Sequence, residues 1–157
     1  GNIMSLVRSL LRQRWHVGAA VIAAALGSTA CSHLHGGHDH AGQQGVLSLN
    51  EGKKWPTDAP LRLGMSSVRK LAAAVPEGST PSDEAARRLA DGVRDQIAFM
   101  VSNCKLEPKA DAVLHVMIAD LSTGADELAS PATRPAGLQR IRKALQQYPE
   151  YFAPAGW

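Results

Sequence analysis

Residues 80–104, TPSDEAARRLADGVRDQIAFMVSNC, carry the clearest structural pattern in this chain. Apolar side chains recur there every three or four residues, which is the spacing of one face of an α-helix. They are Ala86, Leu89, Val93, Ile97, Met100 and Cys104. We expect Thr80 to cap this helix, with Pro81 in its first turn and Asp83 complementing the helix dipole. The stretch therefore predicts one long amphipathic helix.

Helical spacing of apolar residues appears three more times. The further segments are residues 57–75, 107–128 and 138–148. Pro76 with Gly78 ends the first of them, the SPATRP run at residues 130–135 ends the second, and Pro149 ends the third. Four such segments with short breaks predict an all-α fold, an up-and-down antiparallel four-helix bundle over residues 55–157. A three-helix core with the first helix draped outside is the alternative.

The first thirty residues have the pattern of a secretory signal. Arg8, Arg12 and Arg14 precede a short apolar run, VGAAVIAAALG, which ends in small residues. That run is shorter than the roughly 20 apolar residues of a membrane span. We expect residues 1–30 to be a signal peptide, and an uncleaved amphipathic helix is the alternative.

The LGSTAC run that ends at Cys31 resembles the lipobox of bacterial lipoproteins, whose cysteine is acylated after cleavage. Ser28 stands where that family favours Leu, and Ser28-Thr29-Ala30 also fits an ordinary cleavage site. The resemblance implies a lipid anchor at Cys31 on the periplasmic face of a bacterial membrane. A protein free in the periplasm is the alternative.

Charge and motif content exclude several classes of function. Of the seventeen Lys and Arg residues, three lie in the leader, so fourteen remain against fourteen Asp and Glu. This balance lacks the dense positive surface that binding to nucleic acid requires. Because the chain also shows no nucleophile–base–acid set and no phosphate-binding loop, we predict that it is not an enzyme.

A tether rich in His, Gly and Gln joins the leader to the bundle over residues 31–54. Its first ten residues, CSHLHGGHDH, contain four of the six histidines of the chain: His33, His35, His38 and His40. Closely spaced neutral imidazoles on a flexible chain bind zinc, copper and nickel. The pattern predicts a metal-binding arm, and the alternative is a polar tether with no further role.

A second set of candidate ligands lies in the predicted helices. From the helical rise we expect Met65, Met100 and His115 to share one layer of the bundle, with Cys104 one turn closer to its end. Thioether, thiolate and imidazole together are the soft ligands that Cu(I) prefers. The alternative is that the methionines and Cys104 fill the core, while His115 pairs with Asp111 on the helix surface.

Two segments resemble a known architecture. LNEGKKWPTDAPLRLGMSSVRKL at residues 49–71 and NCKLEPKADAVLH at residues 103–115 are similar to exported proteobacterial four-helix proteins of the cytochrome c prime and soluble b-type bundle cytochrome architecture. The resemblance implies a haem group with Met65 as an axial ligand. The chain departs from it in lacking CxxCH and in carrying His115 on the third helix rather than near the end of the fourth.

We therefore predict an exported, lipid-anchored protein that binds a transition-metal ion for metal buffering or sensing in the cell envelope. Copper is the favoured ion, and zinc or nickel are the alternatives. Two other functions stay open at this point. One is a haem-binding electron carrier that uses Met65 and His115, and the other is a non-catalytic module that binds another envelope protein.

Overall fold

A computed structural model of the protein describes residues 45–157. This part of the chain forms four helices, α1 (Ala59–Ala73), α2 (Asp83–Asn103), α3 (Pro108–Glu127) and α4 (Arg134–Tyr151). Each helix packs against the next one in the chain, and α4 packs back against α1. The prediction of an all-α four-helix bundle is confirmed.

The N-terminal predictions fall outside the described residues. These are the signal peptide at residues 1–30, the acylated Cys31, and the arm histidines His33, His35, His38 and His40. Among the helices of residues 45–157, none combines the length and the apolar character needed to cross a bilayer.

The starts of α1 and α2 follow from their capping residues. Asp58 caps α1, as its position in the sequence indicates, and its side chain accepts a hydrogen bond from the Leu61 amide at 2.8 Å. The cap of α2 is Ser82, whose hydroxyl accepts from the Ala85 amide at 3.2 Å. The prediction of Thr80 as this cap is wrong, because Ser82 has the extended backbone and lies at the right distance from the first free amides.

The extent of α4 differs from the sequence prediction at both ends. Pro149 lies inside the helix, which continues to Tyr151. The last turn is held from outside, because the Trp55 amide donates to the Tyr151 carbonyl at 2.8 Å and the Ala153 amide donates to the Trp55 carbonyl at 2.9 Å. Pro135, assigned to the preceding break, lies in the first turn, where its missing N–H leaves no helical bond unmade.

Glycines show that neighbouring helices run in opposite directions and approach closely. Gly64 of α1 lies against Met100, near the end of α2, and Gly92 of α2 lies against Leu71, near the end of α1. The two contacts therefore run in opposite order along the two helices, as an antiparallel pair requires. Antiparallel neighbours joined by short breaks are the geometry of an up-and-down bundle.

One charged side chain, Arg134 at the start of α4, is 6 % exposed. Its guanidinium donates to the carbonyls of Leu128 and Pro81, both at 3.2 Å, and pairs with Asp83 at 2.9 Å. Buried charges are tolerated when they are paired and hydrogen-bonded. Arg134 therefore joins the start of α2, the end of α3 and the start of α4.

Residues 45–54, which belong to the predicted tether, contact the bundle at a few positions, among them Gly45, Leu47 and Ser48. The backbone of Gly45 lies so close to α3 that a Cβ atom there would be 2.9 Å from the Ala112 carbonyl oxygen. The buried Trp55 donates its indole N–H to the Ser48 carbonyl at 2.7 Å. Contacts with the bundle therefore begin before its predicted start at residue 55, while most of residues 45–54 are exposed.

Candidate metal-binding site

Gly45, which follows the predicted metal-binding arm, lies on the solvent-facing side of α3. Gly45 is wedged between the Ala112 carbonyl and the Val116 side chain, each 2.9 Å from the position of a Cβ atom at Gly45. Ala112 and Val116 are one turn apart, and His115 lies on that same turn. His40, the last arm histidine, precedes Gly45 by only five residues. The arm histidines themselves lie outside the described residues.

His115 is an exposed imidazole with a defined orientation. Its side chain is 57 % exposed, and its Nδ1 atom lies 2.9 Å from the Asp111 carbonyl oxygen and 3.3 Å from the Asp111 carboxylate. The surface pair of Asp111 and His115, which the sequence offers as the alternative to a ligand role, is present. Since a carbonyl oxygen can only accept, Nδ1 carries the proton and the lone pair of the neutral ring lies on Nε2. Metal-binding histidines are commonly oriented by such a carbonyl or carboxylate on their other nitrogen.

Three of the four candidate ligands of the bundle line one cavity. Met100, Cys104 and His115 contribute to a cavity of about 300 Å³ between the end of α2 and the start of α3. Met65 is not among its lining residues and is fully buried on α1. The structure thus brings Met100, Cys104 and His115 to a common space and leaves Met65 in the core.

The two methionines take part in core packing. Both are fully buried. The Met100 side chain lies over Gly64, where a Cβ atom would be 2.7 Å from the methionine sulfur. Unbranched, polarizable side chains suit such irregular gaps between helices. Met100 therefore fills the close approach of α1 and α2 while also reaching the cavity.

The Cys104 thiol is held in its protonated form. Burial, and after it the negative charge of Asp58 and the hydrogen bond that the thiol donates to this carboxylate, raise the pKa of Cys104 to about 12. The Asp58 carboxylate also accepts from the amides of Leu61 at 2.8 Å and Lys105 at 2.7 Å. A metal ion that used Cys104 would have to displace this proton, which lowers its affinity at neutral pH.

The described part of the bundle presents an incomplete ligand set. Within residues 45–157, no three side chains of His, Cys, Asp or Glu are close enough to share one ion. His115 offers one well-oriented nitrogen with Asp111 behind it. An ion at this nitrogen would need further ligands besides His115.

The proposed haem ligands have different surroundings. Met65 is fully buried among the core side chains of α1, whereas His115 is exposed on α3. The cavity that His115 lines is not lined by Met65. Two axial ligands have to face one planar group from opposite sides, and these two side chains do not share such a space in this conformation.

Sequence patterns did not reveal the full surroundings of two polar residues, Asp58 and Tyr148. Asp58 is recognisable as a helix cap, but its bond to Lys105 bridges α1 to the end of α2. The hydroxyl of Tyr148 is buried and has no hydrogen-bond partner among the described residues. Its position on an apolar stripe marks Tyr148 only as a core residue. The bond from Lys105 to Asp58 and the burial of the Tyr148 hydroxyl both depend on residues distant in the chain, so no local sequence signal identifies them.

Comparison of the chain with protein-family models, with curated proteins and with solved structures finds no match. The fold itself defines the class, which is an all-α four-helix-bundle protein. Because a fold of this class supports many functions, the function has to be argued from the site residues.

Proposed function

We propose that the protein binds a transition-metal ion through the histidines of residues 33–40 and serves metal buffering or sensing in the bacterial envelope. The ligands are His33, His35, His38 and His40. Copper is the favoured ion, with zinc and nickel as alternatives. The observation that carries the proposal is the density of imidazoles, because four of the six histidines of the chain lie within ten residues.

The chemistry of the arm suits this role. Its histidines are separated by one or two residues, and Asp39 adds a carboxylate between the last two. Imidazole is a good ligand for copper, zinc and nickel, and the Irving–Williams order places Cu²⁺ highest among them. Short His-rich tracts bind such ions without a preformed cavity. Exchangeable binding of this kind fits buffering or sensing better than a fixed catalytic centre.

The proposed location is the periplasmic face of a membrane, through export by residues 1–30 and a lipid anchor at Cys31. The support is the leader pattern and the lipobox-like LGSTAC run. An anchor at Cys31 would hold the arm, which begins two residues later, next to the lipid surface.

The test compares metal uptake by the full chain with uptake by a variant in which the four arm histidines are glutamines. Equilibrium dialysis against micromolar Cu²⁺ or Zn²⁺, followed by elemental analysis, measures the bound ion. We expect the unchanged chain to hold at least one ion and the glutamine variant to bind at least tenfold more weakly, since second-shell losses alone typically weaken metal sites by about tenfold or more.

The matched control replaces Gln43 and Gln44 with alanine, which changes the same segment without removing an imidazole. This control should bind as the unchanged chain does. Equal uptake by the four-glutamine variant and the unchanged chain would contradict the proposal. So would a purified protein that takes up no ion and shows a strong visible haem band.

A further inference from the structure

We propose that a cleft beside α4 binds a small organic molecule that carries a phosphate group. This cleft, called the α4 cleft below, is lined by residues 78–80 of the turn between α1 and α2, by the outer face of α4 and by Asp120 of α3. Its volume of about 680 Å³ lies within the range of small-molecule sites, about 300–1,000 Å³. The proposal goes beyond the proposed function, because it needs no metal ion and uses described residues alone.

One face of α4 gives the α4 cleft a row of N–H donors. The row consists of Gln139, Arg142, Lys143 and Gln146, all of which line the cleft. Their spacing of three, four and seven residues from the first member places them on the same side of the helix. Each of these side chains can donate hydrogen bonds, and none of them is negatively charged. The row therefore suits an anion.

Two cations of the α4 cleft have no carboxylate partner in the described part of the chain. They are Arg142 and Lys143. Arg140, the third cation of the cleft, is already paired with Glu127 at 3.0 Å and with Asp120 at 3.5 Å. A phosphate monoester carries about 1.5 to 2 negative charges at neutral pH, which matches the two uncompensated cations.

The Arg142 side chain is held in place before a ligand arrives. It is half-buried, and its Nη2 atom donates to the Val75 carbonyl, just beyond α1, at 2.7 Å. This bond uses one of the five N–H donors of the guanidinium. The planar fork of an arginine can bind two oxygens of one phosphate by parallel hydrogen bonds. Because Val75 already orders this side chain, little of its rotamer entropy is lost on binding.

Apolar side chains in the α4 cleft indicate that the ligand is larger than a bare phosphate ion. Pro135, Ala136 and the buried Leu138 are among the lining residues. An inorganic ion would leave this apolar surface unused. Sites for small organic molecules, by contrast, combine apolar walls with a few placed polar groups. We therefore assign the phosphate to Arg142 and Lys143 and the organic part of the ligand to the apolar wall.

The experiment titrates the metal-free full chain with phenyl phosphate, a monoester with an apolar body, at physiological ionic strength. Isothermal titration calorimetry measures the affinity, and NMR follows the backbone amides of residues 78–80. We expect saturable binding and a shift of these amides, which line the α4 cleft. Inorganic phosphate should bind more weakly, because it does not contact the apolar wall, and phenol should not bind.

Lys143→Gln should weaken the binding of phenyl phosphate about tenfold, since hydrogen bonds between charged groups are among the stronger ones. Lys143 is exposed, so this variant should fold normally. Arg142→Lys keeps the charge but removes the planar fork, and it should also weaken binding. The matched control is Lys109→Gln, which removes the same charge from an exposed position of α3 outside the cleft. This control should bind as the unchanged chain does.

Three results would overturn the inference. The first is the absence of saturable binding of phenyl phosphate at millimolar concentration. The second is an equal loss of affinity in Lys143→Gln and Lys109→Gln, because it would show that only the net charge of the protein matters. The third is a chain that binds vesicles of phosphatidylglycerol but not phenyl phosphate, which would assign the cleft to a lipid surface. Metal uptake by the arm is measured separately, so either proposal can fail without the other.

Discussion

Single residues set how closely the helices of this bundle approach, and in the contact of α3 with α4 the close neighbours include backbone atoms. A Cβ atom at Gly137 would lie 2.6 Å from the Gly124 carbonyl oxygen and 2.9 Å from Glu127 Cβ. A Cβ atom at Gly124 would in turn lie 2.9 Å from the Gly137 carbonyl oxygen. The two carbonyl oxygens belong to the backbone, which cannot rotate away as a side chain can. The absence of a side chain at both positions therefore fixes the spacing of the two helices.

We expect Gly137→Ala to lower the free energy of unfolding by about 1–3 kcal/mol, the usual range for overpacking. The clash with backbone should outweigh the roughly 1 kcal/mol by which alanine favours a helix over glycine. Gly92→Ala is the matched control, because its Cβ would meet only the end of the partly buried Leu71 side chain at 2.7 Å. Urea unfolding should show a clear loss for Gly137→Ala and a change near zero for Gly92→Ala. Equal losses would contradict this account.

At the scale of elements, Asp58 both starts α1 and attaches it to the end of α2. One carboxylate oxygen caps α1 through the Leu61 amide, and the other accepts from the Lys105 amide just beyond α2. The Cys104 thiol donates to the same carboxylate. Ser82, by contrast, caps α2 through the Ala85 amide alone.

The two caps should therefore differ in their effect on stability. Ser82→Ala should lower the free energy of unfolding by about 1 kcal/mol, as for an ordinary cap. Asp58→Ala should cost at least about twice as much, because it also removes hydrogen bonds to a charged acceptor, which contribute about 1.5–3 kcal/mol. Thermal and urea unfolding of the two variants measure the difference. If both lose the same amount, Asp58 acts only as a cap.

For the whole molecule, the partly buried Cys104 thiol and the buried Tyr148 hydroxyl make the free energy of unfolding depend on alkaline pH. The pKa of Cys104 is raised from its ordinary value of 9.0 to about 12, first by burial and then by Asp58. Burial is also the main cause that raises the pKa of Tyr148 above its ordinary value of 10.0. In the unfolded chain both groups lose their protons at lower pH than in the folded chain.

We therefore expect the free energy of unfolding to fall as the pH rises from about 9 to 12, because the unfolded chain then binds fewer protons than the folded chain. Below pH 9 both groups are protonated in both states, and their contribution is constant. Tyr148→Phe should make the alkaline decline shallower and should not destabilise the protein at pH 7, since the hydroxyl has no hydrogen-bond partner. Urea unfolding at a series of pH values measures both effects. A steeper decline in Tyr148→Phe would refute the explanation.

The helices themselves were predictable, because each repeats apolar residues at the helical period and is flanked by capping residues or proline. The predictions that differ from the structure concern helix ends. Ser82 and not Thr80 caps α2, and α4 continues beyond Pro149. Local patterns could not show that pairing with Trp55 holds the last turn of α4 beyond Pro149. In the candidate site, the pairing of His115 with Asp111 was predictable from their i, i+4 spacing. The bond from Lys105 to Asp58 was not, since 47 residues separate the two.

The amino-acid sequence alone determined that this chain forms four amphipathic helices and that it carries a dense group of imidazoles before them. Both are local properties, because periodicity and composition act over a few neighbouring residues. Only the tertiary structure decided that Gly45 is seated on Ala112 and Val116, that Met65 stays in the core, and that Met100 and Cys104 reach the cavity lined by His115. These contacts depend on the register between helices. Close approaches between residues on different helices, such as Gly124 and Gly137, set that register. The helical period of the sequence does not encode these approaches.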